Sequence, residues 1–186
     1  GNQEEQMRKI NAILLTATLL VFTAGLAMAQ DSSTDSHDVI ITVTEVLLVA
    51  LNEDATPVAL TIGPPTSGLA GDAADNQDTD ASKALYYTVL SADTVDITVA
   101  ITSGVIPSGL TLTVDADAPV DMGTDTTDPV LDGTTTSGTV ISAIPNCYTG
   151  RTTGAPLTYT LDSDGTAGHQ DPGVTITLTY TIASTP

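Results

Sequence analysis

The segment Val174-Thr175-Ile176-Thr177-Leu178-Thr179-Tyr180-Thr181-Ile182 decides the fold. Apolar residues and threonines alternate through it without a break. Successive side chains of an extended chain point to opposite faces, so the segment carries one oily face and one hydroxyl face. Such strict period-two patterning predicts a β-strand with one side on a core.

Similar runs precede it at residues 39–51, 58–62, 84–90, 95–102, 110–114, 139–144 and 157–161. Thr, Val, Ile and Tyr dominate them, the residue types that suit a pleated, half-buried surface. No stretch after residue 30 has a helical period, and Gly, Pro, Asp and Asn cluster between the runs. The expected fold is all-β: an antiparallel β-sandwich, Ig-like or jelly-roll-like, with about eight strands. There is no Trp, and the one Phe, Phe22, lies near the N-terminus, so the core must be aliphatic. Four spacers, 63–82, 115–133, 145–156 and 162–173, read as loops at the ends of the sandwich. The first two are long for a compact domain and are expected to contain an extra edge strand or a functional loop.

The N-terminal part reads as an export signal. Met7 is the expected start, Arg8 and Lys9 form a basic patch, residues 12–24 are apolar, and Ala27-Met28-Ala29 is a small-residue cleavage site before Gln30. The competing reading, a retained membrane anchor, is disfavoured because the apolar stretch is short for a span. The expected organisation is residues 1–29 upstream and signal, 30–52 leader and candidate donor strand, and 53–186 β-sandwich, in a secreted protein of the bacterial exterior or cell surface. Removing 29 of the 186 residues leaves 157, enough for one domain with its own core. In that mature chain Lys83 and Arg151 are the only basic residues. Setting aside Glu4 and Glu5 leaves 21 of the 23 acids, so the net charge stays at −19. Such a surface repels nucleic acid and anionic lipid and attracts cations.

Calcium is the cation considered first. Asp115, Asp117, Asp121, Asp125, Asp128 and Asp132 form one acidic group, and Asp162 and Asp164 belong to a second. Hard carboxylate oxygens on loops suit the irregular coordination of Ca²⁺. Asp162-Ser163-Asp164-Gly165 resembles the start of a calcium loop but lacks the third acid and the distal Glu of an EF-hand. The alternative is a solvated acidic surface that guards strand edges. Zinc is not expected, because His37, Cys147 and His169 are scattered without ligand spacing. Nor is catalysis: a Cys147–His169 pair would lack electropositive surroundings, no Ser sits in a G-x-S-x-G context, and sugar-stacking aromatics are few. A single cysteine excludes an intrachain disulfide and fits a buried thiol, an intermolecular bridge or a reactive group.

The first run, 39–51, is unusual. Val39, Ile41 and Val43 share one face and Ile40 the other; from Val46 to Leu51 both faces are apolar. A strand apolar on both sides is either central in a sandwich or inserted in a groove. Periodicity does not say whose groove, so two readings stand: an ordinary first strand, or an arm that completes a neighbouring molecule by strand addition. On the second reading Val39, Ile41, Val43, Val46, Leu48 and Leu51 are the candidate subunit-interface residues. Five such side chains, at about 1.5–3 kcal/mol each, give roughly 8–15 kcal/mol gross per inserted strand.

Three segments together carry a resemblance: Glu45-Val46-Leu47-Leu48; Ile106-Pro107-Ser108-Gly109-Leu110-Thr111-Leu112-Thr113; and Cys147-Tyr148-Thr149-Gly150 with Leu157-Thr158-Tyr159-Thr160-Leu161 and the closing strand. They resemble small exported bacterial β-sandwich proteins without an assigned activity, which implies a secreted structural role and no catalytic residues. The architecture also resembles donor-strand-exchange pilin and fibre subunits. Gly173 is the fourteenth residue from the end, where chaperone–usher pilins carry a glycine before an alternating last strand. The Tyr that those pilins place beside the terminus is absent, and one Cys cannot form their disulfide. The nearer likeness is to self-assembling fibres in which an N-terminal arm completes the next subunit's sandwich. The expectation is therefore a homopolymer: a pilus-like or biofilm-matrix filament subunit, calcium-stabilised. The alternative is a monomeric adhesin-like module that recognises glycan or matrix protein through its loops.

Overall fold

The computed structural model describes residues 38–52, 56–65, 68–70, 72 and 75–185. The expected signal (1–29) and the leader up to residue 37 lie outside the described residues. The chain divides into two units, 1–42 and 43–186. Of the first unit, residues 38–42 are described, and none is in a strand.

All regular structure among the described residues is β, in ten strands: β1 Val46–Leu51, β2 Gln77–Leu90, β3 Thr94–Ser103, β4 Leu110–Ala116, β5 Thr124–Asp125, β6 Val130–Leu131, β7 Ser137–Ile144, β8 Cys147–Tyr148, β9 Ala155–Ser163 and β10 Thr177–Thr185. They form two antiparallel sheets. Sheet A runs β1-β2-β9-β4-β6, with β8 also paired to β2. Sheet B runs β10-β3-β7-β5. Both contribute to one apolar core. Leu85, Tyr87 and Val89 of β2 and Val114 and Leu157 of sheet A are buried together with Val95, Ile97 and Val99 of β3 and Ile141 of β7. Alternate residues of each strand face inward, as a two-layer arrangement requires. The core is aliphatic apart from Tyr87 and Tyr159. The all-β antiparallel expectation holds, with ten strands where about eight are expected.

The differences have local causes. The closing strand keeps its alternation, with Leu178, Tyr180 and Ile182 against the core and Thr177, Thr179 and Thr181 exposed. It begins at Thr177 and not at Val174 because its partner β3 ends at Ser103, opposite Thr177. Gly104 follows with φ +81°, a conformation that turns the chain out of the ladder, and a Cβ there would collide with the Thr175 carbonyl. Likewise β1 occupies only the second half of the run 39–51. Its ladder with β2 starts at Val46↔Leu90, where β2 stops. Residues 58–62 form no strand: the Thr61 N–H donates to the Asp78 carboxylate at 2.7 Å, and Val58 and Leu60 pack on the core without a ladder. The spacer 63–82 loses its last residues to β2, whose polar start Gln77-Asp78-Thr79-Asp80 pairs with β9. The spacers 115–133 and 145–156 hold the two-residue strands β5, β6 and β8.

Candidate functional site

Three features carry chemical or binding potential: the end strand β1, the acidic loops, and a cleft at one end of sheet A.

β1 lies at the end of sheet A and has one ladder partner, β2, in register Leu47↔Val89 and Val49↔Tyr87. Leu47 and Val49 face the core, while Val46, Leu48 and Ala50 face outward beside Leu90, Thr88 and Tyr86. Of the candidate interface residues, Val46 is half-buried and Leu48 (61% exposed) and Leu51 are exposed. Val39 (70%), Ile41 (82%) and Val43 are exposed as well. The apolar arm before β1 therefore presents its side chains to solvent. The other open strand is β10, which ends sheet B, has β3 as its ladder partner, and packs close to β1. Sheet A and sheet B thus end on the same side of the molecule.

The acidic residues fall into two places. The β4–β6 register pairs Leu112 with Leu131 and Thr113 with Val130. Extended by two residues, it sets Asp128 opposite Asp115, and the ladder continues that far through the bond from Val114 N–H to the Pro129 carbonyl. Partial burial pushes the Asp115 carboxyl above the usual range, and the Asp128, Asp117 and Asp125 charges push it further. Asp125 accepts a bond from the Ala118 N–H at 2.6 Å, which folds this loop over the end of β4. Asp121 sits in a left-handed turn at φ +62°. The second place is an open cleft of about 680 Å³ lined by residues 105–111, 132–134 and 162–164. It brings together Asp132, Asp162 and Asp164, which the sequence assigns to two separate groups. Asp132 and Asp164 are held in tight turns. Asp132 accepts bonds from the Thr134 and Thr135 N–H groups, and Asp164 from the Thr166 N–H and hydroxyl. Those bonds favour the ionised form and hold both carboxyls below the usual range. Asp162 accepts from the Gln77 side-chain amide at 2.7 Å. Among the described residues no three His, Cys, Asp or Glu side chains come together in a geometry that would hold a metal ion. In each turn one carboxylate oxygen, Oδ1, is held by its own loop.

Cys147, in β8, is half-buried against the core, and burial pushes its thiol up, away from the reactive thiolate. Lys83 is buried at a bulge in β2, and its Nζ donates to the Thr56 carbonyl at 2.6 Å. His169 is exposed in the loop between β9 and β10. Tyr148 is a surface feature that sequence reasoning passes over: it is 74% exposed, and β8 pairs it with Thr88 on the outer face of sheet A. Its signal was only an aromatic beside Cys147 in a turn-rich spacer.

Protein-family models, curated proteins and solved structures were each compared with the chain, and none matches it.

Proposed function

We propose that this chain is a structural subunit of an extracellular or cell-surface filament, assembled by strand donation. In the filament, β1 of one copy completes sheet A of the next through the same ladder that it makes with its own β2. The observation that carries this reading is the position of β1: an end strand, apolar on both faces, joined to β2 by 25 residues without a strand among those described. A terminal element on a long connection can be exchanged between identical copies at little cost, because every native contact is remade in trans. The exposed apolar arm at residues 39–43 adds side chains that gain from cover. Only Leu47 and Val49 of β1 face the core, so the hydrophobic part of the joint is about 3–6 kcal/mol gross, below the figure for five side chains. The ladder bonds and slow exchange then carry persistence.

Electron microscopy of the secreted or refolded mature chain tests this. Filaments are expected, and monodisperse particles at every calcium concentration contradict it. Deleting residues 30–51 should abolish assembly, and a peptide of residues 39–51 should bind the truncated chain. Calcium enters this reading as a stabiliser at the Asp115–Asp128 end, where a cation would relieve the repulsion between opposed carboxylates. A chelator is then expected to lower the melting temperature, and superimposable melting curves remove calcium from the account.

A second reading is favoured by the cleft beside Asp132, Asp162 and Asp164. It is a monomeric adhesin-like module in which these carboxylates, with the backbone of residues 105–111, accept hydrogen bonds from glycan hydroxyls or a matrix protein. Glycan-array binding that is lost in Asp162→Ala, with no filaments formed, would select it over the first.

A further inference from the structure

The chain does not leave β2 where β1 ends. Asn52, the residue after β1, donates from its N–H to the Ala84 carbonyl at 2.9 Å and from its side-chain amide to the Ser82 carbonyl at 3.1 Å. Further on, the Thr56 carbonyl accepts from the Lys83 ammonium, and the Thr61 N–H donates to the Asp78 carboxylate. Residues 56–62 thus form a strap that follows β2 back towards its start. Burial alternates along it: Val58 and Leu60 are half-buried and pack on the core, while Pro57, Ala59 and Thr61 are exposed. The side chains that hold the strap lie on the core side of β2, where the register sets Lys83 beside Leu157 and Asp78 beside Leu161. Lys83 is buried, and a buried ammonium is costly unless its protons are hydrogen-bonded. Its bond to Thr56 therefore makes the strap part of how the core is built.

We propose that the element donated between copies is residues 46–62, β1 together with the strap, and that Lys83 and Asp78 of the accepting copy grip the strap's main chain. This rests on the strand-donation reading and enlarges its joint. Chain length argues for it. If β1 were donated while the strap stayed on its own copy, Asn52 would sit at Ser82 and Ala84 of one copy and Thr56 at Lys83 of another. Four residues of chain span at most about 14 Å. That brings the same core-lining stretch of two copies together, side against side, which suits a closed reciprocal pair and not a propagating filament. If the strap travels with β1, the crossing falls to the stretch from Ile62 to Gln77, with a reach of about 50 Å. A folded domain of this length has a radius of gyration of roughly 14 Å, so that reach passes from one copy to the next. The accepting site also selects its occupant. A copy whose own strap has left uncovers Lys83, Asp78 and the core positions of Val58 and Leu60. The strap of another copy remakes each of those contacts in trans. The donor then brings four core-facing apolar side chains, Leu47, Val49, Val58 and Leu60, in place of two.

Solid-state NMR of the assembled mature chain tests the proposal without any substitution. Half of the copies carry the heavy nitrogen isotope and the other half the heavy carbon isotope, so nitrogen–carbon cross-peaks arise only between copies. The proposal expects cross-peaks from Lys83 Nζ to the Thr56 carbonyl carbon and from the Thr61 amide nitrogen to Asp78 Cγ. They should appear beside those of the β1–β2 ladder, such as Val49 with Tyr87. A chain labelled with both isotopes should show the same strap cross-peaks before assembly, when the contacts lie within one copy. Ladder cross-peaks between copies without the two strap cross-peaks would overturn the proposal and leave strand donation standing. Loss of both sets from the mixed sample, or a chain that forms no filaments, would overturn strand donation and the enlarged joint with it.

Discussion

Tyr159 of β9 and Tyr180 of β10 join the two sheets hydroxyl to hydroxyl at 2.8 Å. Burial pushes the Tyr180 phenol well above its ordinary value of 10.0 and raises the Tyr159 phenol as well, so the pair stays neutral and hydrogen-bonded through the physiological range. For a group whose folded value is raised, the stabilisation is complete below the unfolded value and is lost as pH climbs through the folded one. Stability from this pair should therefore be flat from pH 7 to pH 9 and decline above about pH 10, the unperturbed value for tyrosine. Tyr180→Phe strands the Tyr159 hydroxyl and should cost about 1–3 kcal/mol in urea denaturation. The double change to Phe should cost less than the sum of the two single ones, because no donor is then left unpaired. Ala143 is a second informative residue. It has φ +52° at the bulge where β7 meets β3, with its N–H held by Asp96 at 3.0 Å. An L-residue pays for that conformation and glycine does not, so Ala143→Gly should stabilise the fold by about 0.5–1 kcal/mol, read from the same denaturation curves.

The elements show how far side-chain alternation reaches. Where a strand has one wet face and one dry face, as in β10, β3 and β9, the alternation in the sequence is the burial pattern in the structure. Alternation says nothing about where a partner ends, so β1 and β10 both start later than their apolar runs. It also fails for the start of β2, where polar side chains are ordered by β9 and not by an apolar core. The two-residue strands β5, β6 and β8 are too short to show a period at all. The candidate sites follow the same division. That the loops are acidic is plain in the sequence. That Asp128 stands against Asp115, and that Asp132 shares a cleft with Asp162 and Asp164, depends on registers between distant strands. The opposed pair at the end of β4 supplies a prediction at this scale. Like charges directly opposite on neighbouring strands are destabilising, and the raised Asp115 value means that the cost is borne when the carboxyl is ionised. Asp115→Asn should raise the melting temperature at pH 7 by about 1–3 °C. The gain should shrink as acid takes the pH through and below 3.8, the ordinary value, because the wild-type group then becomes protonated in both states.

At the scale of the whole molecule, a chain of net charge −19 repels its own copies through its acidic loops and leaves a few uncharged surfaces exposed. Those surfaces are the β1 end of sheet A, the neighbouring open edge of β10 and the apolar arm before β1. The central claim is that the β1–β2 ladder forms between molecules in the assembled state. The register offers a direct trap, because Leu48 and Thr88 are cross-strand partners at a separation that a disulfide can bridge. The measurement is a non-reducing gel of assembled mature chain carrying Leu48→Cys and Thr88→Cys, with Cys147→Ser to remove the native thiol, after mild oxidation. Strand donation predicts a covalent ladder that extends beyond the dimer and collapses to monomer on reduction. A cross-linked monomer alone, from the same assembled material, would contradict it.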